Sequence, residues 1–388
     1  MKTPPRRYLD NAATSWPKPE PVHAAWERAA RALGVAAGRG GYREAVKAGG
    51  IIGRARELVA GLIGCDPSRV ALTAGGTLAL NMAIHGLLRS GDHVIATAAD
   101  HNATLRPLHW LATQGMIGLD ILPCDGRGIV DPDSIARAWR PATRLVTIAH
   151  ASNVTGAVQD AAAIARVAHD RGGLLLLDAA QTIGQVPPGA LAATGADMIA
   201  APSHKWLLAP MGSGILVARP GLEIRPLVQG GTGSSSDSLD MPEAFADRME
   251  AGTPDLPAIA GLAAAVEWLH GQSIESVARS CRDRARGCAA MLAAIRGVRV
   301  YAAAADPTTE CVAPIVSFTV EGYDPAEVAV VLEQAAGVQA RSGFHCAARI
   351  HGQLGTAAGG TVRVSFGPFN TAGDVEAVAG AVAMLAGS

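Results

Sequence analysis

The chain alternates short apolar runs with longer stretches in which apolar residues recur every three or four positions. The runs at 70–73, 93–97, 119–122, 144–149, 174–178, 197–200 and 214–218 read as strands. Leu174-Leu175-Leu176-Leu177 shows no polar alternation, as expected of a strand covered on both faces. Between the runs, 77–88, 132–139 and 161–170 carry the helical period, and Asp131 followed by Pro132 marks a helix start. This alternation predicts an open, mainly parallel sheet with helices on both faces. After Gly252 the order changes. Helical stretches at 257–270 and 274–295 precede strands at 298–301, 315–320 and 361–366, with helices at 325–336 and 371–385, an α+β pattern. The most loop-like stretch is 230–240, GGTGSSSDSLD.

At a prior of about 150 residues per domain, 388 residues also suggest two domains. A formal net charge of −1 argues against a dedicated nucleic-acid binder. Hydrophobic content of 49% with 17% charged residues argues against disorder. Apolar stretches such as 173–177 and 377–386 fall well short of the ~20 residues a membrane span needs. The opening MKTPPRRYLDNAAT has no apolar run, so no signal peptide is expected. The six cysteines form no CxxC unit and read as thiols of a reducing compartment. We expect a cytoplasmic protein with no membrane or nucleic-acid partner.

In open α/β sheets, ligands bind beyond the carboxyl ends of the strands, and polar residues stand at four such ends. Lys205 follows the run at 197–200 within Ser203-His204-Lys205-Trp206; desolvation there would free its amine for Schiff-base chemistry. Asp178 ends the buried run at 174–178, where a carboxylate needs a cationic or hydrogen-bonding partner. Thr73-Ala74-Gly75-Gly76-Thr77 joins a strand to a helix start, where backbone N–H groups and the helix dipole favour a phosphate. His101 follows the run at 93–97 and suits stacking on a flat ring or proton relay. Taken singly, each is most simply a surface lysine, a strand-end cap, a tight turn or a structural histidine. Together, at one sheet edge, they point to a cofactor site, and a Lys–Asp pair of this kind suits pyridoxal 5′-phosphate (PLP).

Matching stretches run nearly end to end: Tyr8-Leu9-Asp10-Asn11-Ala12-Ala13-Thr14, Gly38-Arg39-Gly40-Gly41, Gly75-Gly76-Thr77 with Asn81, Asp100-His101-Asn102-Ala103 and His150-Ala151-Ser152-Asn153-Val154-Thr155-Gly156. They continue with Leu177-Asp178-Ala179-Ala180-Gln181, His204-Lys205, Gln229-Gly230-Gly231-Thr232-Gly233, Glu250-Ala251-Gly252-Thr253-Pro254 and Arg341-Ser342-Gly343-Phe344-His345-Cys346-Ala347. On these the chain resembles the class V aminotransferase family of PLP enzymes, and within it the second group of the cysteine desulfurase/selenocysteine lyase branch. The resemblance implies the aspartate aminotransferase-like PLP transferase fold, fold type I. Residues 15–256 would form the large domain, and 1–14 with 257–388 the small one.

By resemblance, Lys205 would bind the cofactor covalently and move the Cα proton. Asp178 would pair with the pyridine nitrogen, Gln181 with the ring hydroxyl, and His101 would stack over the ring. Gly76, Thr77, Ser203 and His204 would hold the phosphate, and Thr253 would reach the phosphate of a neighbouring subunit, implying a homodimer. Asn153 would lie near the ring oxygen and the substrate carboxylate. Asn11, Ala12 and Arg341 would line the substrate site, with Arg363 clamping the carboxylate through its planar fork. Cys346 would accept the substrate sulfur, since only a thiolate is a good nucleophile for it. Arg341 and His345 stand near enough in sequence to favour that thiolate. The implied reaction converts L-cysteine to L-alanine with a persulfide on Cys346, for delivery to a sulfur-acceptor protein. Selenocysteine lyase activity, or a transaminase or epimerase acting on a small amino acid, are the alternatives.

A metal site at His345, Cys346 and His351 lacks the usual paired spacing, so none is expected. Cys65, Cys124, Cys281, Cys288 and Cys311 read as core or surface thiols. The chain departs from relatives at Pro202, at Gln229 before the GGTG stretch, and at Ala347-Ala348-Arg349-Ile350-His351 after Cys346.

Overall fold

The computed structural model describes residues 4–37, 40–234, 237–306 and 313–387. The matching stretch at Gly38-Arg39, Cys311 and the centre of the 230–240 loop lie outside them. Seven strands form the larger sheet, in the order Val70–Thr73, Gly214–Ala218, Met198–Pro202, Leu174–Asp178, Thr143–Ala149, His93–Thr97, Gly118–Leu122. All pairings are parallel except those of Gly214–Ala218, which runs antiparallel to both neighbours. The expected mainly parallel α/β sheet is present, each strand within two residues of its expected bounds. Helices cover both faces, and strands His93–Thr97, Leu174–Asp178, Met198–Pro202 and Gly214–Ala218 are buried throughout, which explains runs without alternation, while the edge strand Gly118–Leu122 is half-buried.

A second, four-stranded antiparallel sheet has the order Arg341–Gly343, Thr361–Ser365, Ile315–Val320, Val298–Val300. Its core includes Phe318, Val364 and Phe366, together with Val378 and Val382 of helix Ala372–Ala386. The chain start joins it: Arg7–Tyr8 pairs in parallel with Val338–Gln339, and Asp10 bridges to Ser365. The expected boundary at 256/257 falls at the first residue of helix Leu256–Gly271. That helix packs on Glu20–Arg28 and Arg43–Ile63, beside the larger sheet.

Three elements escaped the sequence pattern. Helix Arg43–Ile63 contains four glycines, each unfavourable in a helix interior, yet it is held by burial of Ala48, Ala55, Val59 and Ile63. Helix Asn102–Thr113 carries Pro107 in its interior, which removes one N–H from the ladder. Strand Arg341–Gly343 is short, polar and legible only through its partner strand. The helix expected at 132–139 spans Pro132–Ala138, with the Asp131 side chain accepting from Asp133 N–H as anticipated. Among the described residues, no helix is long and apolar enough to cross a membrane.

Candidate active site

The parallel register aligns Ala149 with Asp178 and Asp178 with Ala200, so several strands end at one level. Beyond that edge lies a cavity of about 770 Å³. Lys205, Asp178, His101 and the Ala74–Thr77 loop, delivered by four different strands, all line it. Lys205 lines this cavity, and burial pushes its ammonium down to about 8, with Asp178 opposing that shift and Arg363 and Arg341 adding to it. Burial raises the Asp178 carboxyl, against an Ala180 N–H donated to its Oδ1 at 2.9 Å and the Lys205 charge. Among the described residues Asp178 has no ion-pair partner.

Helix Gly76–Leu87 opens with Gly75 at φ 141° and no side-chain cap. The first N–H groups of a helix have no partner within it, and here Gly75, Gly76 and Thr77 line the cavity. A Cβ on Gly76 would stand 2.7 Å from Pro202 Cδ, so the glycine lets the loop lie against the strand that leads to Lys205. His101 Nδ1 accepts the Ala103 N–H at 3.0 Å and caps helix Asn102–Thr113, leaving the ring proton on Nε2. Burial, reinforced by Lys205, holds His101 down at about 4, so the ring is neutral at ordinary pH. Gln181 accepts Trp206 Nε1–H at 2.7 Å and donates to Ala12 O at 3.1 Å, which fixes its amide.

The second sheet supplies the opposite wall. Arg363 is 1% exposed; it pairs with Asp10 Oδ1 at 2.7 Å and donates to Asn153 O at 3.1 Å. Arg341 Nη2 lies 3.1 Å from Cys346 Sγ. Cys346 and His345 both have positive φ, 59° and 50°, a tight turn tied down at three points. Asn153 Nδ2 donates to His345 O at 2.6 Å, Asn102 N to Cys346 O at 2.8 Å, and His345 Nε2 meets Thr361 Oγ1 at 2.9 Å. The positive-φ pair forms the turn that carries Cys346.

Of the expected site residues, Ala12, Gly76, Thr77, His101, Asn153, Asp178, Gln181, His204, Lys205, Arg341 and Arg363 line the cavity. Cys346 lines an adjoining hollow of about 600 Å³ that shares Thr77 and His101 with it. The Asn11 side chain is spent on Ser365 O and Asn370 Oδ1. Ser203 is enclosed, its Oγ without a partner, behind the cavity-lining Pro202. Thr253 opens into a separate hollow of about 170 Å³. Two residues carried no role in the sequence reading. Asp10 stood in a quoted motif and is found by asking what neutralises a buried Arg363. Asp100 accepts N–H groups from Thr97 and Ala149, tying two strand ends together beneath His101, and no local pattern reveals that.

A buried strand-end lysine and carboxylate, a helix start open to phosphate and a sheet of this topology define a PLP-type transferase fold. Residues 7–378 match the family model described as Aminotransferase class-V, and the chain belongs to that family. Among its relatives, a probable cysteine desulfurase of Methanothermobacter thermautotrophicus is 34% identical over 98% of this chain and 94% of its own. The cysteine desulfurase CsdA of Escherichia coli is 31% identical over 97% of this chain and 92% of its own. The apo structure of a cysteine desulfurase from Thermococcus onnurineus superposes with a TM-score of 0.90 at 28% identity, over 98% of this chain and 94% of that one. The fold is therefore the expected PLP fold type I.

Proposed function

We propose that this chain is a PLP-dependent cysteine desulfurase that converts L-cysteine to L-alanine and takes the sulfur onto Cys346 as a persulfide. The observation that carries this reading is Arg341 Nη2 at 3.1 Å from Cys346 Sγ, beside a cavity that holds Lys205, Asp178 and Arg363. A plain transaminase has no use for a thiol aimed in this way.

The residues fit the cofactor. The free N–H groups at Gly76 and Thr77, with His204, suit a phosphate. Ser203 serves through its backbone, which pairs with Ser213 and Ala209 and shapes the Lys205 turn. Asp178, buried and without an ion-pair partner among the described residues, suits a pyridinium nitrogen; Gln181 has one amide N–H left that would serve the ring hydroxyl, and His101, neutral and lining the cavity, would face the ring. Thr253 would act toward the phosphate of a second copy. The exposure of Met211 and Leu227 at the cavity rim supports such a homodimer. Unpaired Cys65, Cys124, Cys281, Cys288 and Cys346 support a reducing, cytoplasmic setting.

Bound PLP supplies an electron sink for charge developing at the substrate Cα. Arg363, held by Asp10 and Asn153, receives the substrate carboxylate, with Ala12 and Asn153 beside it. Lys205, with its amine partly free near neutral pH, takes the Cα proton and returns it. Arg341 Nη2 donates to the Cys346 sulfur at 3.1 Å and holds it beside the cavity. Cys346 Sγ attacks the substrate sulfur, the new S–S bond replaces the substrate C–S bond, and the electron pair leaves with the carbon. Protonation of that carbon gives L-alanine, and a thiol or an acceptor protein removes the outer sulfur from Cys346.

Alanine and sulfide released from L-cysteine with a thiol reductant test this reading, with Lys205→Ala as the blank. Equal amounts of both products, abolished in Cys346→Ser, are expected. Turnover of cysteine undiminished in Cys346→Ser would sink it. A Cys346→Ser variant active on L-selenocysteine alone assigns selenocysteine lyase activity as well.

A further inference from the structure

The sequence contains four lysines, Lys2, Lys18, Lys47 and Lys205, and two of them meet at one turn. Lys18 Nζ donates to the backbone carbonyl of His204 at 2.7 Å and to Ser15 Oγ at 2.7 Å. The same carbonyl accepts Ser15 N–H at 3.0 Å, Ser15 Oγ at 3.1 Å and Thr14 Oγ1 at 3.2 Å. Four donor atoms from residues 14–18 therefore converge on one oxygen, the carbonyl of the peptide bond that joins His204 to Lys205.

This convergence is unusual in its charge as well as its number. Lys18 is half-buried and, among the described residues, has no carboxylate partner. Burial pushes its ammonium down to about 7, so the site is a costly place for a cation held only by neutral oxygens. A compact ammonium can serve two oxygens in this space, whereas a planar guanidinium has a fixed fork. The next peptide groups explain what is gained. Lys205 O accepts Leu208 N–H, and Leu208 itself is held at φ 61°, so the turn after Lys205 is tight on its far side. On its near side, Ser203 is held through its backbone by Ser213 and Ala209, and the His204 carbonyl itself is held by the residue 14–18 segment.

We propose that Lys18 is a positioning residue for Lys205: with Thr14 and Ser15, it clamps the His204–Lys205 peptide and sets where the Lys205 amine stands in the cavity. The inference rests on the PLP reading of Lys205 and goes beyond it, because Lys18 does not line the cavity. Since a small misplacement of a reacting group costs rate steeply, loss of the clamp acts on the chemistry of Lys205 more than on the fold.

The test uses full-length apoprotein and measures the rate at which it captures PLP across a pH series, by the yellow absorbance of the bound form. Thermal melting of each apoprotein is recorded alongside. Lys18→Met is expected to slow capture by about tenfold and to move the pH midpoint of capture, with Lys18→Arg recovering part of the rate. Capture at the wild-type rate with the wild-type midpoint overturns the proposal. If Lys18→Met fails to fold, Ser15→Ala decides in its place, since it removes the shared hydroxyl and leaves the backbone N–H; wild-type capture there overturns the clamp. A wild-type protein that captures no PLP overturns the cofactor reading instead. The clamp is then judged by trinitrobenzenesulfonate labelling of Lys205, resolved by peptide mass spectrometry. An altered labelling pH profile in Lys18→Met supports it, and an unaltered one overturns it.

Discussion

Arg341 and Arg363 are direct partners across two antiparallel strands, their Cα atoms opposite one another in the register. Like charges placed opposite each other destabilise a sheet, so each guanidinium needs its own partner. Arg363 has Asp10 Oδ1 at 2.7 Å, and Arg341 has Cys346 Sγ at 3.1 Å. One arginine is thereby dedicated to a carboxylate and the other to a sulfur, on the same face of the same sheet. That division follows the two ends of a cysteine molecule.

Arg341→Gln removes the cation beside Cys346 without emptying the site. Alkylation of Cys346 by iodoacetamide near neutral pH is expected to slow by roughly 3- to 10-fold, because the thiolate is the reacting form. Peptide mass spectrometry separates Cys346 from the buried Cys281 and Cys288. An unchanged alkylation rate would show that the guanidinium does not activate the sulfur.

Asp10→Asn leaves a guanidinium that is 1% exposed without its carboxylate. Breaking a buried pair is costly, and the partial exposure of Asp10 reduces the effect, so about 1–3 kcal/mol of unfolding free energy should be lost. Urea denaturation at neutral pH measures this. A loss below about 0.5 kcal/mol would mean that the Asn153 carbonyl suffices to hold Arg363.

Lys205 is expected to destabilise the apoprotein that contains it. Its ammonium is held down at about 8 in the fold against 10.5 when free, so below pH 8 the buried charge costs stability. As pH rises from 8 to 10.5 the unfolded chain binds the extra proton, and the penalty disappears. Lys205→Met apoprotein should thus be more stable than wild type at pH 7, by about 1–3 kcal/mol, with the gap closing toward pH 10. A gap that is absent or widens with pH would contradict the burial argument.

Gly76→Ala places a Cβ 2.7 Å from Pro202 Cδ and 2.8 Å from Pro202 N, neither of which belongs to a flexible side chain. The helix start must shift away from the strand, and the phosphate-facing N–H groups shift with it. Dialysis against phosphate buffer should strip PLP from this variant at least about tenfold faster than from wild type. Equal retention would remove the loop from the phosphate site.

The apolar runs by themselves marked out the seven strands of the larger sheet, the central ones because a strand buried on both faces has to be apolar along its length. The same logic brought Lys205, Asp178, His101 and the 73–77 loop to one edge, since parallel strands release their chains on the same side. Local pattern could not reveal strand Arg341–Gly343, whose three residues form a strand only by pairing with Thr361–Arg363. Helix Arg43–Ile63 was illegible for a related reason: its glycines disfavour a helix locally, and burial of one face against neighbours outweighs them. The partnerships that complete the site, Asp10 with Arg363 and Lys18 with the His204 carbonyl, join residues 353 and 186 positions apart. They were decided only by tertiary structure, because a buried charge recruits whichever opposite charge or oxygen the packing brings within reach, and sequence proximity has no part in that choice.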